Sequence, residues 1–154
     1  MDLEAIRKHG IVSYLAKEKM AILSTHASDG SIDAMTVFFM ADENLDFFFM
    51  TKVDTRKYQN MAANPHVSLT ISNAETLETV EAKGTASVMT SPKDITDRMT
   101  SIINKGKYEG MPWAPPIAKL NAGQYVIIKV VPTWLRYGVF LNEFPKGEYF
   151  KQII

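Results

Sequence analysis

A hydroxyl and two cations follow one another at Thr55, Arg56 and Lys57. Thr55 is a good helix N-cap. The apolar residues that come next fall on one helical face: Tyr58, Met61 and Ala62. A helix that begins here offers unpaired backbone N–H groups beside both cations, which is the chemistry of a phosphate site. The alternative is a capped surface helix whose charges are simply solvated, since short basic motifs have many false positives.

The elements on either side fix where this helix begins and ends. Residues 47–50 form a short aromatic-rich run that is typical of a buried strand, and residues 51–54 are mostly polar. Asn64-Pro65 ends the helix. The sequence therefore predicts a buried strand that leads, through a short loop, to an anion-binding helix start.

The rest of the chain predicts a mainly β (α+β) fold. Periodicity indicates a helix over about 3–19, a helix capped by Ser91, and strands over 20–25, 32–40, 46–50, 66–72, 77–89 and 125–131. The last strand is expected to continue past a bulge at Pro132, residues 104–124 form a long loop, and residues 138–147 are turn-rich. This order favours a six-stranded antiparallel β-barrel with flanking helices, in a single domain over residues 1–154.

Composition excludes several classes of function. The chain has 154 residues, a formal net charge of zero and no cysteine, so thiol chemistry and a nucleic-acid surface are disfavoured. Its histidines are isolated, which argues against a metal site, and no nucleophile or nucleotide-binding motif is present. With a polar N-terminus and no long apolar stretch, we expect a cytoplasmic protein with no membrane partner.

These motifs, in their order, resemble the FMN-binding split barrel of the pyridoxamine 5'-phosphate oxidase-like superfamily. The resemblance covers residues 10–90 best. Besides the helix start and Asn64-Pro65, it rests on the segments 21–25, 29–30 and 82–86. It implies a homodimer with FMN at the subunit interface. A dimer is also favoured by strand residues that are apolar on both faces, above all Phe38, Phe39, Phe47 and Phe49.

The resemblance also implies which residues hold the flavin. The second strand would supply backbone N–H and C=O groups to the ring edge, through Ala34, Met35, Thr36, Val37 and Phe38. The ribityl chain and phosphate would be held by Met50, Thr51, Thr55, Arg56 and Lys57. Many members carry a basic residue near the start of the second strand, but residues 32–34 include none.

Three further positions follow from the same resemblance. Thr79 stands where pyridoxamine phosphate oxidases carry a glutamine to the flavin, and threonine is shorter. Trp113 or Trp134 of the second subunit would line the flavin pocket. No side chain is assigned a catalytic role, because a flavin supplies the redox chemistry itself.

The implied activity is that of an oxidoreductase, which passes electrons from a reduced nicotinamide or similar donor to a small molecule. Pyridoxamine phosphate oxidation is not expected, because residues 138–154 lack the arginine- and histidine-bearing segment of those enzymes. The alternatives are a non-catalytic flavin or haem binding module, such as a stress-response protein, and a deazaflavin-dependent reductase.

Overall fold

The computed structural model describes residues 3–107, 124–140 and 150–154. Its helices and strands, in chain order, are α1 (Leu3–Lys17), β1 (Met20–His26), β2 (Ile32–Ala41), β3 (Phe47–Lys52), α2 (Arg56–Ala63), β4 (His66–Asn73), β5 (Glu78–Val88), α3 (Pro92–Gly106), β6 (Tyr125–Val139) and β7 (Phe150–Gln152).

Six of the strands close into an antiparallel barrel. They hydrogen-bond in the order β3-β2-β1-β4-β5-β6, and β3 also pairs with β6, so the sheet has no outer edge there. Alternate residues of each strand point inward, as the period of a strand requires. The most deeply buried of them include Leu23, Phe39, Phe47, Leu69, Val80 and Leu135, all at most 1% exposed. The predicted six-stranded barrel is therefore confirmed, with β7 as an extra strand beside β6.

A bulge in β6 lies opposite the glycine of β5. Lys83 pairs with Trp134 and Gly84 with Pro132, which leaves Thr133 without a partner in this ladder. A Cβ atom on Gly84 would lie 2.4 Å from the carbonyl oxygen of Val131. The predicted bulge near Pro132 is thus confirmed, and Gly84 is where the two backbones approach most closely.

Several predicted boundaries were wrong. Helix α1 ends at Lys17, α3 runs to Gly106 into the predicted loop, and β6 runs to Val139 into the predicted turn region. Tertiary contacts explain the two longer elements. Ile102 in the last turns of α3 is 1% exposed, and the end of β6 stays paired with both β5 and β7. Local glycine signals are overridden by such packing.

Three of the four phenylalanines that favoured a dimer are covered within the chain itself, and Phe38 is partly covered. Phe39, Phe47 and Phe49 lie in the barrel core. Phe38 packs against the second cluster of apolar residues, which includes Phe48 of β3 and Ile102 of α3. Phe39, Phe47 and Phe49 therefore give no argument for a dimer, because the core of the same chain covers them.

Lys105 fastens the end of α3 to the barrel. Its ammonium group donates to the carbonyl oxygens of Leu15 (2.8 Å) and Phe39 (3.1 Å), and it lies 3.9 Å from the centre of the Phe39 ring. Burial lowers the pKa of Lys105 to about 8, an effect that the charge of Glu18 partly offsets. A lysine in the unfolded chain titrates near 10.5.

This depressed pKa predicts a pH-dependent stability. Between pH 8 and 10.5 the unfolded chain binds more protons at residue 105 than the folded chain, so the free energy of unfolding should rise with pH in that window. Each pKa unit corresponds to about 1.4 kcal/mol, and after a discount for partial exposure we expect a rise of roughly 1–2 kcal/mol.

Urea unfolding of the wild type and of Lys105→Met is measured at pH 7.5, 9 and 10, which are about the ends and the middle of the window. The change with pH in the difference between the two free energies of unfolding gives this rise. The comparison also cancels the contribution of Tyr14 and Tyr137, because both proteins contain them. Burial raises the pKa values of these two tyrosines, so they lower the free energy of unfolding only above their ordinary pKa values near 10. A difference that does not change with pH would rule out a buried, charged Lys105.

Helices close the two ends of the barrel. At one end, Tyr14 of α1 donates to the carbonyl oxygen of Glu78 (3.1 Å). At the other, Asn60 of α2 donates to the hydroxyl of Thr25 (3.0 Å). The start of α2 is thereby held beside the start of β2. Among the described residues, no helix is long and apolar enough to cross a membrane.

Candidate functional site

The N-terminus of α2 is built around the hydroxyl of Thr55. This residue is the N-cap, as predicted, and its oxygen accepts from the backbone N–H of Tyr58 (3.4 Å) while donating to the carbonyl oxygen of Lys52 (2.7 Å). The hydroxyls of Thr51 and Thr55 lie 2.9 Å apart. Since the proton of Thr55 is used, Thr51 is the donor of that bond. The end of β3 is thus tied to the first turn of α2.

Two backbone N–H groups remain open at this helix start. The first bond between turns runs from the N–H of Gln59 to the carbonyl of Thr55, so the N–H groups of Arg56 and Lys57 precede the repeating ladder. Neither has an acceptor within the described ranges. Together with the positive end of the helix dipole, they form an arrangement that suits an anion.

Lys57 lacks the partner that a buried cation usually has. Its side chain is partly buried, and burial lowers its pKa below the ordinary value. None of the ion pairs in the described part of the chain includes it. A cation that loses hydration without gaining a carboxylate is unfavourable for folding alone. An anionic ligand beside Lys57 would supply the missing charge.

Arg56, in contrast, has a partner that the sequence did not reveal. Its Nε atom lies 2.7 Å from Oδ2 of Asp33 at the start of β2. The same oxygen accepts from Nδ2 of Asn60 (2.8 Å), whose amide also donates to Thr25. The residues join three elements, β1, β2 and α2, in one polar network. Asn60 is only 8% exposed inside an amphipathic helix, and a buried asparagine is the sequence signal that points to such a network.

The second strand has an open backbone edge beside this helix start. All of the first seven residues of β2 pair with β1. On the other side, β3 reaches β2 only at Phe39, Met40 and Ala41. Along an antiparallel strand every second residue turns its N–H and C=O away from its neighbour. Residues 34–37 therefore present backbone groups that no other described strand pairs with.

The predicted ligand residues fall into one continuous region and three outlying positions. Ala34, Met35, Thr36 and Val37 lie on the open edge of β2, and Phe38 lies where this edge reaches α3. The remainder are at the end of β3 and the start of α2: Met50, Thr51, Thr55, Arg56 and Lys57. Their proximity is what a flavin with its phosphate at α2 and its ring along β2 requires. Their roles toward a ligand stay predictions.

Thr79 lies far from this region within the chain. It pairs with Ser72 near the end of β4. Helix α2 lies at the opposite end of that strand, because the start of β4 follows α2 directly in the chain. Its hydroxyl donates to the carbonyl oxygen of Ile71 (3.2 Å). The structure thus does not bring Thr79 to the start of α2, and a contact with the flavin from this position remains a prediction.

Trp134 lies on the outer face of β6, and Trp113 lies outside the described residues. Strand register places Trp134 in one row with Lys83, Ser68, Ser24 and Ala34. Four strand spacings of about 4.8 Å separate the ends of that row by roughly 19 Å along the sheet. Trp134 is therefore too far to line the β2 edge of its own chain, which leaves the second subunit as the route by which it would reach a flavin.

A separate cleft lies between α2 and the strands β5 and β6. It has a volume of about 270 Å³ and is lined by Tyr58, Met61, Ala62, Pro65, Ala86, Ser87, Val88 and Ile128. No charged side chain lines it, so of these two places the start of α2 is the one that suits a phosphate. The described residues also contain no cluster of three or more side chains suited to bind a metal ion.

Fold and site together define a class of protein: an antiparallel barrel, split between β2 and β3, with a helix start at the split whose open N–H groups and cations suit an anion. The sequence model of the pyridoxamine 5'-phosphate oxidase family matches residues 8–137. The chain belongs to this family, and the resemblance stated from the motifs is confirmed. A comparison with curated proteins gave no match.

Solved structures with a similar fold carry different functional descriptions. A pyridoxamine 5'-phosphate oxidase-related, FMN binding protein from Nostoc punctiforme is 15% identical, with 96% of this chain and 85% of that chain covered and a TM-score of 0.62. An F420 reductase is 25% identical, with 80% and 93% covered and a TM-score of 0.62. General Stress Protein 26 from Bacillus anthracis is 19% identical, with 85% and 92% covered and a TM-score of 0.60.

Proposed function

We propose that this protein binds FMN in the split between β2 and β3 and acts as an oxidoreductase on a small molecule. The observation that carries the proposal is the start of α2, where a partly buried Lys57 without a carboxylate meets two backbone N–H groups that have no acceptor in the described chain. Without a ligand the positive charge of Lys57 has no counter-charge, whereas a phosphate beside it would neutralise it.

The protein's part in the reaction is to bind and orient the flavin. The phosphate would be held by the N–H groups and side chains of Arg56 and Lys57, with Thr51 and Thr55 keeping the turn in place. The backbone edge of residues 34–37 would hydrogen-bond to the rim of the ring. When bound, FMN supplies the redox chemistry by accepting electrons from one partner and donating them to another. We also propose that the electrons come from a reduced nicotinamide or a similar donor and that the protein is cytoplasmic.

Two similarities to solved structures favour alternatives to an FMN-dependent oxidoreductase. The similarity to an F420 reductase, at 25% identity, supports a deazaflavin in place of FMN. The similarity to General Stress Protein 26 supports a non-catalytic binding module, which would take a flavin or a haem. Anaerobic addition of NADH or NADPH to the FMN-loaded protein separates enzyme from carrier. Loss of the visible absorbance of oxidised flavin supports an oxidoreductase, whereas an unchanged spectrum with both donors contradicts an oxidoreductase that takes its electrons from a reduced nicotinamide.

We also propose that the protein is a homodimer. The reason now lies on the outer face of β1 and β2, where Met20, Ile22 and Ile32 are 50%, 44% and 58% exposed. In the strand register, Met20 lies opposite Phe38 of β2 and Ile22 lies opposite Thr36. Directly opposite residues point to the same face of a sheet, so Met20, Ile22 and Phe38 belong to one face. An exposed apolar face of this kind indicates an interface.

Light scattering at micromolar concentration is expected to return twice the chain mass. Changing Ile22 to Lys, in the middle of this face, is expected to shift the protein toward monomer. Changing the exposed Leu77 to Lys provides a control, because that residue lies in the β4–β5 turn and not on the β1–β2 face. A monomer mass for the wild type at every concentration would contradict the proposed dimer.

A further inference from the structure

We propose that Asp33 sets the charge of the anion site, so that the site prefers a doubly charged phosphate ester over a singly charged one less strongly than Arg56 and Lys57 alone would. The inference rests on the proposed function, because it concerns the phosphate of the same ligand. It assigns a specificity-determining role to a residue that would not itself touch the flavin.

Asp33 is held rigidly in place. Its Oδ2 atom accepts from both Nε of Arg56 (2.7 Å) and Nδ2 of Asn60 (2.8 Å), and its side chain is 19% exposed. Asn60 is in turn fixed by its bond to Thr25. A carboxylate held by two hydrogen-bond donors in a partly buried position does not move aside easily.

The contact leaves the outer part of Arg56 available. Only its Nε atom is engaged, and the side chain is 68% exposed. Within the described residues, its terminal guanidinium nitrogens form no ion pair. A phosphate would therefore meet these terminal nitrogens while Asp33 holds the other edge of the same group. Asp33 thus positions Arg56, and its negative charge lies only one side chain away from the phosphate.

The charges of Arg56, Lys57 and Asp33 then add to a single positive unit, while Asp29 interacts with Arg56 from farther away than Asp33 does. Arg56 and Lys57 contribute two positive charges and Asp33 removes one. A phosphodiester, with one negative charge, is balanced by these side chains, whereas the phosphomonoester of FMN exceeds them by one. Because Coulomb repulsion from Asp33 is proportional to the ligand's charge, its effect on binding should double in free energy from the monoanion to the dianion.

The test is a titration of the wild type and Asp33→Asn with three flavins of different charge. These are riboflavin (neutral), riboflavin 4',5'-cyclic phosphate (monoanion) and FMN (dianion). We expect Asp33→Asn to tighten FMN binding by roughly tenfold and to leave riboflavin binding unchanged. Binding of the cyclic phosphate should tighten by about threefold, because half the ligand charge gives half the change in free energy and therefore the square root of the change in affinity. The matched control is Asp54→Asn, since Asp54 is exposed and forms no ion pair in the described part of the chain.

Equal changes for all three flavins, weaker FMN binding in Asp33→Asn, or the same gain in Asp54→Asn would overturn the inference. A second readout separates it from the proposed function. Inorganic phosphate is titrated into ¹⁵N-labelled protein while the amide signals of Arg56 and Lys57 are followed. If no flavin binds but phosphate binds more tightly to Asp33→Asn, the proposed function fails and the role of Asp33 stands. If phosphate affinity does not rise, the role of Asp33 fails whatever the flavin result.

Discussion

Replacing Lys57 with alanine is expected to weaken FMN binding by roughly 10- to 100-fold, which corresponds to about 1.4–2.8 kcal/mol. Lys57 is the partly buried cation without a carboxylate partner at the start of α2. Its removal takes away one charge-assisted contact with the phosphate. The affinity for riboflavin should not change, because that ligand has the same ring and no phosphate.

The stability of the flavin-free protein should hardly respond to this substitution. Burial lowers the pKa of Lys57, and a cation in the first turn opposes the helix dipole, so the lysine contributes nothing to folding that alanine would lose. Lys93→Ala is the matched control, because Lys93 is an exposed lysine in the first turn of α3. Unchanged FMN affinity in Lys57→Ala, or equal losses in both variants, would mean that the solvated-helix interpretation was right.

Replacing Gly84 with alanine is expected to destabilise the fold by about 3 kcal/mol, or roughly 6–12 °C in melting temperature for a chain of this size. The new Cβ would lie 2.4 Å from the carbonyl oxygen of Val131, 2.9 Å from its carbonyl carbon and 3.0 Å from Cα of Pro132. All three are backbone atoms of β6, so no side chain can rotate away. The strand pair has to separate where the barrel bends.

Gly10→Ala is the matched control for this substitution. Gly10 lies inside α1, and nothing lies within 4 Å of the position that its Cβ would take. Alanine is favoured over glycine in a helix by about 0.5–1 kcal/mol, so this variant should melt slightly higher than the wild type. Calorimetry on both variants compares the two effects directly. If Gly84→Ala melted within a degree or so of the wild type, β5 and β6 would not approach as closely as described.

The features that depend on neighbouring residues could be predicted from the sequence. Helix α2 begins after Thr55 and ends before Asn64, as its capping residues indicate, because capping chemistry is local. The alternation of apolar residues along β4 likewise predicted its buried face correctly. Barrel closure followed from the order of these elements, once six strands with helices between some of them had been recognised.

The features that depend on distant residues could not be predicted. The pair between Asp33 and Arg56 joins β2 to α2, and nothing in either segment alone indicates it. The covering of Phe38 and Phe48 by α3 depends in the same way on where a later helix packs. The split between β2 and β3 is visible only in the register, since both strands have the apolar pattern of fully paired strands.

The most direct test of the proposed cofactor is the absorption spectrum of the purified protein, combined with mass identification of the small molecule that it releases on denaturation. The proposal predicts the visible bands of an oxidised flavin and the release of FMN in about one equivalent per chain, as expected for one site on each subunit. If a deazaflavin were released, the proposed cofactor would change from FMN to a deazaflavin, and the proposed binding site would stay the same. A colourless protein that also binds no added FMN would contradict the proposed function.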